Sequence, residues 1–326
     1  MTQLNLPACG LTTASGAYKP MRYPQAYNFW KRQQQLHWLQ SEVRMDPDVR
    51  DWKSLDPRMR GVCGGIFKNF TQADIDVQHN YHAVYQKIFA PTEVNMMLTA
   101  FSNMETVHID AYSSLLETLG LPDDEYMSFL EYEEMKAKHD FLHSFNPTNP
   151  EEVAMSLAGV SSCGEGLMLF ASFAMLLNLP RNNLMKGMGQ IVSWSVRDES
   201  LHCEGIAWLY HQWMRENAAH IDREEHNRGV NVMVQEAVGM EDAFIDLVHK
   251  DGDMPGATRE EFKAYVRYIA DIRMGQLGLP GIYGIRRNPI PWVDGLQAGV
   301  EHANFFEQQA TEYSRGATKG AWSDAF

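Results

Sequence analysis

Cysteine is scarce in this chain: Cys9, Cys63, Cys163 and Cys203 are the four in 326 residues, and none forms a CxxC pair. That excludes a disulfide scaffold and fits a reducing cytoplasm. Positive charge is also in short supply, with 28 Lys and Arg against 42 Asp and Glu, a net charge of −14 and no basic cluster. Nucleic acid and anionic membrane are therefore poor partners. Nothing resembles a P-loop or an adenine-reading motif, and β-rich runs are missing. The opening MTQLNLPACGLTTASG lacks a basic segment followed by an apolar core, so it does not read as a signal peptide. One stretch, 153–179, is apolar enough to suggest a membrane span, yet it carries Glu165 near its centre with Ser161, Ser162, Cys163 and the flanking glycines Gly164 and Gly166. An acid at mid-bilayer is expensive, so a buried core helix is expected instead.

What is present is long helical periodicity. The pattern predicts loops and short helical pieces as an N-terminal arm over about 1–60, containing Trp30, Trp38 and Trp52. Helices follow over about 65–89, 91–119, 122–144, 149–178, 183–216, 220–249, 258–277 and 295–312. Gly and Pro between 278 and 294 predict an irregular cap, and the small, polar residues after 312 a flexible tail. The expectation is one all-α domain over 1–312, a helical bundle with additional helices, and a separate tail over 313–326.

Two copies of Glu-x-x-His, Glu105/His108 and Glu199/His202, lie inside apolar helical stretches. Each has an acid about one helix length upstream, Asp74 and Glu165 respectively. The midpoint between Asp74 and Glu105 falls at Ala90-Pro91, and that between Glu165 and Glu199 at Asn182, both of which read as helix turns. Each acid pair would thus sit at equal depth on an antiparallel hairpin. Within Glu-x-x-His, three residues at about 100° per step put both side chains on one helix face. About one such tetrapeptide arises by chance in a chain of this composition, but two in matched hairpins do not. Four carboxylates among Met97, Leu98, Phe101, Met104, Ile191, Val192 and Val196 need compensation, and a metal pair supplies it. An oxygen-rich set with one nitrogen per metal suits iron or manganese better than zinc. It is the ligand pattern of ferritin-like dinuclear carboxylate proteins, with Asp here as one of the lone acids.

Tyr112 follows Glu105 by seven residues, which returns to nearly the same helix face about 10 Å along the axis. Glu-x-x-His-x-x-x-Tyr resembles the radical helix in the small (β) subunit of class I ribonucleotide reductase. The resemblance runs across most of the chain: FTQAD at the first ligand, METVHIDAY on the radical helix, GEGLMLFASF at the third acid and SVRDESLHC at the last pair. WLQSEV around Trp38 resembles the family's W-x-x-x-E-V, and ANFFEQQATEYSRG resembles the segment before its flexible tail.

The resemblance implies that Asp74, Glu105 and His108 bind one metal and Glu165, Glu199 and His202 the other, with some carboxylates bridging. Asp198 would hold His108 and connect it to Trp38, and Tyr313 would carry the radical out to a catalytic α subunit on which the tail docks. The small subunit would store a one-electron oxidant, and α would reduce ribonucleotides to deoxyribonucleotides. A homodimer and a flavoprotein reductant or activator are further implied partners. The resemblance implies as cofactor either a diiron centre with a tyrosyl radical at Tyr112 or a dimanganese centre that keeps the oxidant on the metals. Ser195 bears on this choice, because diiron members commonly place an apolar residue there, and a polar pocket suits a stable tyrosyl radical less well. Asp74 and Tyr112 together depart from the subgroup with glutamate as first ligand and phenylalanine at the radical position. Two other readings use the same ligands: a ferritin-like oxidase or oxygenase acting on a small substrate, and a metal-storage or structural bundle.

Overall fold

The structure, a computed structural model, describes residues 5–296. Among these residues there are no strands, only an isolated bridge between Met254 and Ala257. Helices α1 (Pro24–Gln35) and α2 (Asp46–Ser54) form the N-terminal arm. The bundle follows as α3 (Pro57–His79), a π-helical segment Asn80–Tyr85, α4 (Gln86–Ile88) and α5 (Thr92–Leu119). A 3-10 segment, Asp123–Glu131, leads to α6 (Glu133–His143). Next come α7 (Pro150–Ala158), a second π-helical segment Gly159–Met168 and α8 (Phe170–Arg181). The long α9 (Lys186–Glu216), α10 (Arg223–Val248) and α11 (Arg259–Gln276) complete it. Of the helix expected over 295–312, the first two residues are described and helical; the remainder, with the tail, lies outside the described residues.

Local chemistry sets the boundaries. Asp56 caps α3 through the Arg58 amide with Pro57 in the first turn, so this helix begins eight residues before the expected start. Asn149 caps α7, Asp222 caps α10, and Thr258 with Glu261 forms a capping box on α11. Gly120, at φ 74°, closes α5 in the left-handed conformation. The helix expected over 122–144 is two elements, because Tyr132 is extended and Tyr126 and Phe129 turn inward at three-residue spacing. Pro180 does not end its helix at 178 as expected; it is accommodated in the last turn of α8.

α3 packs against α5, and α8 against α9, as the two expected hairpins. In the second, a Cβ at Gly189 would come within 2.8 Å of Pro180, so glycine permits the close approach. The start of α9 is fixed by the arm: Asp48 accepts the Gly187 and Met188 amides and Asp51 the Met185 amide. Glu93, near the start of α5, likewise accepts the amides of Arg22 and Tyr23. The segment after α11 is irregular and hangs on Asp271, which accepts the amides of Ile282, Tyr283 and Ile285. The apolar run Pro150–Arg181 is long enough to cross a membrane, but its apolar window is entirely buried inside the protein. It is a core helix.

One buried ion pair joins α6 to α10. Lys138 Nζ lies 2.6 Å from Glu241 Oε1, donates to the Met168 carbonyl and sits 4.2 Å from the Phe244 ring centroid. Removing one partner strands the other charge in the core. Lys138→Met should lower stability by about 3–5 kcal/mol, and Lys138→Met/Glu241→Leu should recover much of it. Urea denaturation followed by circular dichroism checks this; an unchanged midpoint for the single variant would show that the pair contributes nothing.

Candidate metal centre

Four elements converge on the centre of the bundle. α3 brings Asp74, α5 brings Glu105 and His108, the second π-helical segment brings Glu165, and α9 brings Glu199 and His202. All six are buried, Asp74 being the most exposed at 3%. They form two groups of potential ligand atoms, Asp74, Glu105, His108 and Glu199 in one and Glu105, Glu165, Glu199 and His202 in the other. Within each group the atoms lie inside 4.8 Å of one another.

Glu105 and Glu199 belong to both groups. Glu105 Oε2 is 3.4 Å from His108 Nδ1 while its Oε1 is 3.1 Å from His202 Nδ1. Glu199 does the same, with Oε1 3.2 Å from His108 Nδ1 and Oε2 3.3 Å from His202 Nδ1. Glu165 Oε1 is 3.3 Å from His202 Nδ1. The sequence reading expects some carboxylates to bridge without saying which; Glu105 and Glu199 each face both imidazoles, whereas Asp74 and Glu165 each belong to one group.

The chamber's electrostatics fit a cation pair. Burial raises Asp74 well above the usual carboxylate range, and burial also lifts Glu165 to about 7, with His202 pulling against it. Burial acts on Glu199 in the same direction, but contacts with the two imidazoles outweigh it and hold that group down to about 2. Burial would lower both histidines, yet Asp198, Glu105 and Glu199 raise His108, and Glu105, Glu165 and Glu199 raise His202. Both oxygens of Glu105 and of Glu199, Asp74 Oδ2, Glu165 Oε2 and both Nδ1 atoms lack a well-directed hydrogen bond. Buried polar atoms are normally satisfied, so this many unsatisfied ones facing each other is the signature of a metal-binding chamber. The neighbouring cysteines do not compete: burial pushes Cys163 and Cys203 up to about 12, keeping them as thiols.

Around the chamber, Asp198 is fully buried and its Oδ2 accepts from Trp38 Nε1 at 2.8 Å while facing His108 Nε2 at 3.3 Å. Its Oδ1 faces Gln33 at 3.3 Å and Arg197 at 3.4 Å, two partners absent from the sequence reading. The Trp38 ring also packs 5.0 Å from Trp194. Tyr112 is buried, donates to Ser195 Oγ at 3.1 Å and meets the Phe70 ring edge at 4.9 Å. Burial and the Asp74 charge raise its phenol above the ordinary value. Tyr81, also missed, donates to Glu165 Oε1 from the first π-helical segment. A signal was available, since Tyr81 follows Asp74 by the same seven residues that separate Tyr112 from Glu105. Tyr313 lies outside the described residues.

Residues 16–289 match the family described as ribonucleotide reductase, small chain. A probable ribonucleoside-diphosphate reductase small subunit of Invertebrate iridescent virus 6 is 40% identical, covering 94% of this chain and 96% of its own. The ribonucleotide reductase R2 subunit from Clostridium botulinum shares the fold at TM-score 0.81 and 19% identity, over 91% of this chain and 96% of that one. The dimanganese(II)-NrdF of Streptococcus sanguinis does so at TM-score 0.72 and 18% identity, over 83% and 94%.

The shared glutamates generate a stoichiometric prediction. Glu199→Ala should lose both metal ions, whereas Glu165→Ala should retain one, held by Asp74, Glu105, His108 and Glu199. Metal analysis of the folded variants after gel filtration reads this directly; equal retention by the two would remove the bridging assignment.

Proposed function

The chain belongs to the ribonucleotide reductase small-chain family, and from that premise we propose that it is the class I β subunit that stores a one-electron oxidant for a catalytic α subunit. The observation that carries the reading is the pair of glutamates, Glu105 and Glu199, each facing both imidazoles among four buried carboxylates. Asp74, Glu105, His108 and Glu199 would hold one metal and Glu105, Glu165, Glu199 and His202 the other. When bound and activated by an oxygen species, the metal pair supplies a strong one-electron oxidant.

The protein's own groups give that oxidant its address. Full burial of the ligands excludes water, which would otherwise quench it. Asp198 Oδ2 accepts the Trp38 indole N–H and faces the far nitrogen of His108, so one carboxylate orients a ligand and holds the indole proton at a defined atom. This is the route by which Trp38 passes the oxidising equivalent on, with Tyr313 as the exit and the tail from Ser314 as the docking peptide. The assignment of 1–312 as one domain and 313–326 as a docking tail belongs to the same reading, as do a homodimer, a flavoprotein reductant or activator and a cytoplasmic setting. The described cysteines are free, as that setting requires.

Ser195 bears on which metal is used. It is fully buried and accepts the Tyr112 hydroxyl hydrogen bond, giving the phenol a polar neighbour where a long-lived tyrosyl radical is better served by an apolar one. That neighbour supports a dimanganese centre over a diiron centre with a tyrosyl radical. On protein loaded with manganese and activated, low-temperature electron paramagnetic resonance should give a broad multiline signal that survives Tyr112→Phe. A sharp organic radical abolished by that substitution would instead place the oxidant on Tyr112.

The exit path has its own test. Tyr313→Phe should abolish turnover with α while metal loading stays intact, and deletion from Ser314 should abolish or strongly weaken α binding in calorimetry. Normal turnover of the first, or undiminished affinity of the second, removes the corresponding role.

A further inference from the structure

A second cluster of metal-binding side chains lies outside the dinuclear centre. On α6, His139 and His143 are four residues apart and so share a helix face. That face meets Asp76 of α3, whose Oδ2 is 2.7 Å from His139 Nδ1 and whose Oδ1 is 2.9 Å from His143 Nε2. The three residues offer ligand atoms within 4.8 Å of one another. We propose that Asp76, His139 and His143 form a mononuclear site for a divalent first-row transition metal, independent of the dinuclear centre.

Donor chemistry, geometry and access each support this. Two imidazoles and one carboxylate make the set that binds such metals while leaving coordination positions open. The separations from Asp76 to each nitrogen match neighbouring ligands around an ion bound at about 2.1 Å, which stand about 3 Å apart. Asp76 is oriented by Gln72, whose Nε2 donates to Oδ1 at 2.7 Å, the kind of outer partner that fixes a ligating carboxylate. The His139 ring is braced by Phe129 at 5.7 Å.

Asp76 and His139, with Gln72 and Asn69, also line a cavity of about 20 Å³, room for a single water or small ion. Asp76 is buried, whereas the histidine side chains are 25% and 37% exposed, so an ion can reach the site from solvent. Lys138, the nearby cation lining the same cavity, is already engaged by Glu241 and the Met168 carbonyl. The His79 ring, 5.2 Å from that of His143, stands beside the cluster. None of these residues is shared with the dinuclear centre, though Asp76 lies two residues from Asp74 on α3 and its charge acts on that carboxyl.

The competing account is a buried aspartate held by two hydrogen-bonded histidines with no metal. Titration of the full-length chain with cobalt(II) chloride, followed by visible d–d absorption and metal analysis, separates the two. Wild type should bind one more equivalent of cobalt per chain than His139→Gln/His143→Gln, whatever the occupancy of the dinuclear centre, because that centre is common to both proteins. Equal uptake would overturn the proposal. Should the double variant fold poorly, His143→Gln, which alters only the more exposed histidine, should weaken the extra equivalent at least about tenfold, since even loss of an outer partner costs that much. Unchanged affinity in that variant would also overturn it.

Discussion

Taking a carboxylate out of water costs several kcal/mol unless something replaces the lost hydration. This chain buries Asp74, Glu105, Glu165 and Glu199 around two imidazoles, in a core of Met97, Phe101, Met104, Ile191 and Val192. Six donors can offset that cost together only if four elements hold them in register. The bundle is arranged around this requirement. Its apolar faces supply the driving force for folding, while at its centre apolar packing is given up.

Much of the N-terminal arm serves that register. α9 carries a third of the candidate ligands and is preceded by Met185 at φ 50°, a conformation that non-glycine residues adopt at a cost. Asp48 and Asp51 offset it by accepting the three amides at this turn. Glu93 fastens the chain ahead of α1 to the start of α5. Glu216, near the end of α9, accepts from the Leu11 amide and the Tyr23 hydroxyl. Acidic residues that composition counts only as net charge are here the pins between arm and bundle.

The all-α architecture and the meeting of both hairpins were legible because periodicity and spacing are local properties. Glu105 and His108 share a face in any α-helix, and matched distances to a turn place two acids level. What escaped depends on departures from α geometry. Glu165 projects from a π-helical segment flanked by Gly164 and Gly166, and a Cβ at Gly166 would lie 2.4 Å from the Ser161 carbonyl. Those glycines were visible in sequence, but their meaning lies in the contact with Arg273, whose Nε donates to the Gly166 carbonyl from α11, more than a hundred residues on. Tyr81 escaped for the same reason: in the other π-helical segment, Asn80 inserts its amide between the carbonyls of Asp76 and Leu142. The early start of α3, by contrast, was readable in Asp56-Pro57, a capping pair passed over because no apolar run follows at once.

The two halves of the centre are alike in ligands and unlike in surroundings. Behind His108 stands Asp198, and behind that Trp38, Gln33 and Arg197, so the far imidazole nitrogen faces a polar chain leading to the arm. Behind His202 stand rings, Phe101 at 4.5 Å and Tyr81 at 6.0 Å, and its Nε2 has no hydrogen-bond partner. A ligating histidine normally donates that proton, and the donation fixes its tautomer and tunes its basicity. His202 is held by packing instead, with Tyr81 steadying the neighbouring Glu165 from the same side. The centre is therefore built with a hydrogen-bonded chain behind one imidazole and packed rings behind the other. What each imidazole touches with its second nitrogen is what sets the two halves apart.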